Sequence, residues 1–546
     1  MKAQLLSGNE AIARGAWEAG VHVGTGYPGT PSTEILETLK SFPEVYTEWS
    51  TNEKVALEVG FGASLAGART LVTMKHVGVN VAADPLFTAA YIGVKGGLVI
   101  VTADDPAMHS SQNEQDNRNY AHAARMPMLE PADSQEARDF TRIAFELSEQ
   151  YDVPFFLRTT TRISHARSIV SLAERADRGT PSGFQRNITK YVMIPAYARK
   201  RHVIVEERMV QIAADANELE INRIEMGDPG IGFITSGVVY QYVKESFPDA
   251  SILKLGMVYP LPEELIRDFA GRVKRLVVVE ELDSFFELRI RAMGLAVHGK
   301  DLYPRLGEFS PRRVREPLER AGMVAAARGD GSGSGPDTAV LHNGLAIPPR
   351  PPALCAGCPH RTVFGLLHEM GLKVTGDIGC YTLGALPPFS AMDTCVDMGA
   401  SIGVAQGIEI AEGKNFRNDT VAVIGDSTFA HSGISGLVNA AYNGRKSLVI
   451  VLDNGTTAMT GMQPNAFSGT RITGEESFVI DYEKLAAALG IDGEYFREVD
   501  AYKKQEVEEA IRTLHGKEHL CLLVVKGPCV ILRSREKSRT TKEASR

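Results

Sequence analysis

Asp426 closes the run Val421-Ala-Val-Ile-Gly-Asp426, and Asn454 closes Ser447-Leu-Val-Ile-Val-Leu-Asp-Asn454, with small and apolar residues at helical spacing between them. The unit reads strand, loop, helix, strand. In a parallel sheet both strand ends open onto the rim where ligands bind. There a carboxylate, flanked by Gly425 and Ser427, and an amide oxygen converge with a loop carbonyl to make a hard-oxygen site. Such a site suits Mg²⁺, which keeps coordination positions open for phosphates, so a diphosphate is the expected guest. A second donor set is sulfur. Cys355-Ala-Gly-Cys358 is a chelating pair, and Cys380 and Cys529 each follow Gly or Pro in loop-like sequence, as ligands aimed at a shared centre would. Four thiolates suit structural zinc or an iron–sulfur cluster, and spacing does not choose between them. Cys395 and Cys521 sit in apolar sequence and are expected in the core.

The elements that must position these groups follow the chain. Ser7 to Gly20 is punctuated as a helix and Val21 to Gly26 as a strand, after which Tyr27-Pro-Gly-Thr-Pro-Ser32 is a stiff turn that could present Thr30 to a ligand. Glu53 stands before a helix over Lys54 to Gly67 that is rich in Gly and Ala. Since Gly weakens a helix by up to about 1 kcal/mol relative to Ala, several of them imply a close neighbour. Glu58 is read as helix surface. His76 follows another strand, and Leu98 to Asp105 is a third, ending in carboxylates. The polar run Met108 to Arg118 is long enough to be an active-site loop, with Arg118 available to a substrate carboxylate and His76 or His109 to protons. A charged, helical connection over 186–226 precedes three further strands, at Gly230–Gly237, Ser251–Gly256 and Arg275–Glu280, in successive βαβ crossovers. Arg328 to Pro336 and Pro348 to Pro352 have the composition of linkers.

Composition bounds the class. With 546 residues, 44% of them hydrophobic, the chain has material for several cores, and length alone suggests about three or four domains. The 59 Lys and Arg against 67 Asp and Glu leave a net charge of −8, so neither nucleic acid nor an anionic membrane is the expected partner. No apolar run is long enough to span a bilayer, and Met1 to Glu10 lacks a signal-peptide core, which predicts a cytoplasmic protein. Six cysteines are too few for a disulfide framework.

Gly425-Asp-Ser427 with Asn454 resembles the Gly-Asp-Gly and later Asn of the thiamine-diphosphate enzymes, with Ser in place of the last Gly. The resemblance implies Asp426 and Asn454 as side-chain Mg²⁺ ligands and Thr456 as a ligand through its carbonyl. Glu53, with Ala56 and Gly62 after it, resembles the pyrimidine-binding domain of the same enzymes. That likeness gives Glu53 the contact to the aminopyrimidine ring that activates the thiazolium.

Gly8 to Gly15, Gly26 to Pro31, Cys355 to Arg361, Gly376 to Gly384 and Asp453 to Gln463 are similar to the large subunits of the indolepyruvate ferredoxin oxidoreductases, over about residues 1 to 532. These belong to the 2-oxoacid ferredoxin oxidoreductase group. The resemblance implies an α/β chain of three parallel-sheet domains: pyrimidine-binding (1–185), connector and transketolase C-terminal-like (186–325), and, after a linker (326–352), diphosphate-binding (353–532), with a disordered tail (533–546). It assigns one [4Fe–4S] cluster to Cys355, Cys358, Cys380 and Cys529. The related large subunits usually continue into a ferredoxin-like domain with two more clusters, whereas no cysteine follows Cys529 here. A single cluster passes one electron at a time and the oxidation releases two, so ferredoxin or a cluster-bearing subunit is expected to dock near Cys355.

The implied reaction is oxidative decarboxylation of an arylpyruvate with coenzyme A, in a hetero-oligomer with a smaller subunit. Thr30 is the candidate for the substrate carboxylate, with His76, Arg118 and His431 as further catalytic candidates. Two alternatives remain at this level: a non-oxidative thiamine-diphosphate decarboxylase or synthase with a structural metal at the cysteines, and a noncatalytic electron-transfer or assembly subunit.

Overall fold

The computed structural model describes residues 3–325, 352–412 and 419–535. The chain forms two units, the first from residues 1–324 with 471–475 and the second from the remainder. The expected linker, apart from residue 352, and the expected tail beyond residue 535 lie outside the described residues. The start of that tail, 533–535, is helical, with Arg533 N–H donating to Cys529 O at 3.0 Å.

The first unit is built on a seven-stranded sheet in the spatial order Met257–Tyr259, Met128–Leu129, Phe155–Thr160, Leu98–Asp104, Thr70–Lys75, Val23–Gly26 and Tyr46–Trp49. Its neighbours are parallel except for Met257–Tyr259 against Met128–Leu129. The central strand Leu98–Asp104 is buried along its whole length, as a parallel strand covered on both faces must be. Helix Gly8–Glu18 starts where the sequence punctuates it: Ser7 Oγ accepts the Glu10 N–H while the Glu10 carboxylate accepts the Ser7 N–H. Helix Glu53–Leu65 is capped by Asn52, whose Oδ1 accepts the Val55 N–H at 2.9 Å.

A four-stranded sheet in the order Leu276–Val278, Asp228–Ser236, Ala250–Leu255 and Arg223–Glu225 follows in the same unit. The charged connection before it contains the helix Pro195–Asp215. Strand Met257–Tyr259 comes from this later part of the chain yet completes the first sheet, so the two expected modules share one body.

The second unit carries six parallel strands, in the order Thr394–Cys395, Lys373–Gly376, Thr420–Gly425, Leu448–Asp453, Cys521–Lys526 and Phe496–Asp500. Thr420–Gly425 and Leu448–Asp453 are direct neighbours, with Gly425 opposite Leu452, so Asp426 and Asn454 leave the sheet at adjacent strand ends. Among the described residues no helix is long and apolar enough to cross a membrane.

Candidate functional site

On the rim of the second unit Asp426 is buried, and its Oδ2 accepts from Asn465 Nδ2 at 3.0 Å. Burial, then the charge of nearby Asp453, pushes the Asp426 carboxyl up to about 7. A buried acid next to another acid is a poor anion by itself and a good ligand for a hard dication. Asn454 Oδ1 accepts the Thr456 N–H at 3.1 Å, and its Nδ2 donates to His360 Nε2 at 3.2 Å. Thr456 is buried, its hydroxyl donating to Gln463 O at 3.1 Å, and Ser427 Oγ lies 2.8 Å from Thr457 Oγ1. The donor set therefore fits Mg²⁺: a carboxylate, an amide and loop oxygens gathered at two neighbouring strand ends.

The four loop cysteines gather at the same rim. Cys529 N–H donates to Asn454 O at 3.1 Å. Burial raises the Cys380 thiol to about 11, helped by Cys358, Cys529, Cys355 and then Asp426, and burial likewise raises Cys358, with Cys355 and Cys529 adding to it. Thiols that hinder one another's ionisation fit a cationic metal core, which would supply the missing charge. All six cysteines are free, and among the described residues no three His, Cys, Asp or Glu groups close on the spacing of a single ion. Cys521 is buried, as its sequence predicts, but Cys395 is exposed: it ends a two-residue strand at the sheet's outer edge, and its sulfur faces Asp377 O at 3.7 Å. His431 is buried in a widened helical turn, Phe429–Gly433, with Nδ1 2.6 Å from Ser432 Oγ.

The first unit has its own rim, at the ends of Val23–Gly26, Thr70–Lys75 and Leu98–Asp104. Glu53 is 5% exposed and lies against the helix His76–Val81, where a Cβ on Gly78 would come 2.6 Å from its Oε1. Glu58, read as surface, is exposed and paired with Lys54. Thr30 is half-buried in its turn, and His109 is exposed, with Nε2 3.3 Å from Glu308. His76 is fully buried, its Nε2 3.2 Å from Asn113 O and its Nδ1 without a partner among the described residues; burial lowers its pKa and keeps the ring neutral.

Arg118 departs from expectation. It begins the helix Arg118–Ala124 rather than lying in the loop, and it is buried against Asp116 at 2.5 Å and Glu280 at 2.8 Å, with a further bond to Glu281 O at 3.0 Å. A guanidinium so fully engaged is a structural cation joining the two sheets of this unit, not a free receiver for substrate.

Two residues escape the sequence reading. His360 is visible only as part of Cys-Pro-His-Arg, and the amide it orients is distant in sequence. Lys75 leaves a faint signal, a cation ending the otherwise uncharged strand Thr-Leu-Val-Thr-Met-Lys75.

Residues 14–215 match the family described as pyruvate flavodoxin/ferredoxin oxidoreductase, thiamine diP-binding, and residues 377–525 match the thiamine pyrophosphate enzyme, C-terminal TPP binding domain. The chain is 42% identical over 557 residues to indolepyruvate oxidoreductase subunit IorA of Archaeoglobus fulgidus, covering 98% of this chain and 88% of that protein. It is 40% identical to the subunit of that name from Pyrococcus horikoshii, covering 97% and 86%. A solved 2-oxoglutarate:ferredoxin oxidoreductase from Magnetococcus marinus aligns with a TM-score of 0.49 at 16% identity, over 58% of this chain and 65% of that one.

Proposed function

Because this chain belongs to the IorA family of indolepyruvate oxidoreductase subunits, thiamine-diphosphate-dependent 2-oxoacid ferredoxin oxidoreductases, we propose that it decarboxylates an aryl 2-oxoacid oxidatively. Coenzyme A would take the acyl group, and a [4Fe–4S] cluster held by the four loop cysteines would supply the electron carrier toward ferredoxin. The observation that carries the reading is the meeting of Asp426 and Asn454 with four thiols on one rim, Cys529 bonded to Asn454 and Cys380 within reach of the Asp426 charge.

Thiamine diphosphate with Mg²⁺ would supply the electron-withdrawing ring that takes up negative charge as the carboxyl group departs. Asp426, Asn454 and the Thr456 carbonyl would hold the cation, with Gly425 and Ser427 shaping the turn. Glu53, buried at a helix start, would hold the cofactor's ring nitrogen through its carboxyl oxygen, so that a proton is kept or released there. The hydroxyl of Thr30 is available to substrate, and neutral His76 and buried His431 are candidates for moving protons. Cys355, Cys358, Cys380 and Cys529 would hold the cluster. The role of Glu53, the smaller subunit, the docking of ferredoxin or a cluster-bearing subunit, and a cytoplasmic setting are parts of this proposal.

The test is anaerobic purification with the natural partner, followed by iron, sulfide and zinc analysis and a panel of 2-oxoacids. Viologen reduction that requires thiamine diphosphate, Mg²⁺ and coenzyme A, fastest with an aryl substrate, is expected. Zinc in place of iron, with an aldehyde as sole product, overturns the reading.

A further inference from the structure

Lys75 ends the strand Thr70–Lys75 and is 8% exposed. Its Nζ donates to Ser110 O at 2.7 Å and lies 3.3 Å from Ser110 Oγ, both neutral acceptors. Asp105, whose charge acts on Lys75, is itself engaged by the Ser110 N–H at 2.8 Å, Ser111 Oγ at 2.5 Å and Thr161 Oγ1 at 2.7 Å. A buried ammonium held only by neutral oxygens is costly, and burial accordingly draws its pKa down to about 8, against the pull of Asp105. An incoming anion would remove that cost.

The surroundings say which anion. A Cβ on Gly29 would lie 2.9 Å from Lys75 Cβ, so the turn bearing Thr30 packs directly on the lysine. The next residue, His76, begins the helix whose Gly78 backs the Glu53 carboxylate. Lys75 therefore stands between the Thr30 turn and the seat of Glu53. Arg118, the cation the sequence offers for this task, is closed off by Asp116 and Glu280.

We propose that the Lys75 ammonium receives the carboxylate of the 2-oxoacid, beside Thr30. The assignment rests on the function proposed above and adds the residue that selects for an acid. The carboxylate charge is present in the bound substrate and drains away as CO₂ forms, so this ion pair is stronger before the transition state than in it. Lys75 should accordingly govern KM, and its loss should leave kcat unchanged or slightly higher.

The experiment uses the full chain with its partner subunit, thiamine diphosphate and Mg²⁺, assayed by viologen reduction with phenylpyruvate. Lys75→Gln keeps a donor for Ser110 O while removing the charge; it should raise KM about ten-fold or more, with kcat changed by less than about three-fold and cofactor affinity unchanged. Lys75→Arg should recover part of the KM. An unchanged KM in Lys75→Gln, or a fall in kcat at constant KM, overturns the proposal. A readout on the wild type covers the case in which the variants do not fold: phenylpyruvate should shield Lys75 from acetylation by acetic anhydride, read by peptide mass, and neutral phenylacetamide should not. Equal labelling under both would also overturn it. Wild-type turnover that needs no thiamine diphosphate would instead remove the underlying function, an outcome separable from every result on Lys75.

Discussion

His360 serves two sites with two atoms. Its backbone N–H supports the Cys358 sulfur, and its ring Nε2 accepts from Asn454 Nδ2 at 3.2 Å. Full burial pushes the imidazole down to about 4, so it stays neutral and able to accept. By fixing the amide nitrogen it fixes where Asn454 Oδ1 points, the kind of outer support that sets metal affinity. Replacing His360 with Ala is therefore expected to weaken Mg²⁺ about 10- to 100-fold, read from the Mg²⁺ dependence of thiamine diphosphate binding. His360→Gln, which can still accept, should restore part of it; equal Mg²⁺ affinity in all three proteins would refute this role. Glu53→Gln probes the other rim. The amide keeps the shape of the side chain and loses its basicity, so turnover should fall about 10²- to 10⁴-fold while cofactor still binds. Unchanged turnover in the reconstituted complex would exclude Glu53 as the activator. The positions of Asp426, Asn454 and Glu53 at element ends are legible in the sequence because composition marks each end. Lys75 and His360 are not, since their importance lies in partners brought close only by folding.

The helix Glu53–Leu65 shows how far composition alone reaches. Its glycines imply a close neighbour, and at Gly60 one exists: a Cβ there would lie 2.5 Å from Val72 Cγ2, 3.1 Å from Thr70 Cγ2 and 3.2 Å from Thr25 Oγ1. At Gly62 the same inference fails, for that position is exposed and a Cβ would meet nothing within 4 Å. The two glycines share a sequence environment and differ only in which way they face. Gly60→Ala should push the helix off the strands Thr70–Lys75 and Val23–Gly26, at a cost of about 1–3 kcal/mol. Gly62→Ala should gain up to about 1 kcal/mol from helix propensity. Urea unfolding of the two variants distinguishes the sites, and destabilisation by both would show that the open face of Gly62 is covered in the assembled protein. Cys395 is misread for a related reason. Its neighbours in sequence are apolar enough for a core strand, but the strand is two residues long and lies at the edge, a placement that depends on the order of the whole sheet.

At the scale of the whole first unit, the two sheets are joined by buried charge. Arg118 bonds Asp116 and Glu280, and Arg158 bonds Asp104 at 2.8 Å and Glu130 at 2.6 Å, with Glu281 on the same small polar cavity. This network spans residues far apart in sequence, which is why Arg118 reads as a loop residue until the fold is known. Acids outnumber arginines in it, and their environments drive them apart. Burial pushes Asp116 up, but Arg118 and then Arg158 outweigh it and hold Asp116 at about 2. Glu281 goes the other way: burial, with Glu308 and Glu130 adding to it, outweighs the Phe309 N–H and Arg158 and lifts it from 4.5 to about 7. The folded chain thus prefers Glu281 protonated. Below the unfolded value the residue is protonated in both states and contributes no pH dependence. As the pH rises from 4.5 to about 7 the unfolded chain releases the proton first, stability falls, and above that range the loss is constant. Glu281→Gln preserves the acceptor for the Phe309 N–H, at 2.6 Å, and has no proton to lose. The variant should match the wild type near pH 4 and exceed it by up to about 3 kcal/mol at pH 8, as measured by urea unfolding across that interval. A stability difference independent of pH would mean that Glu281 titrates alike in the folded and unfolded chains, with the arginines and the Phe309 N–H cancelling the effect of burial.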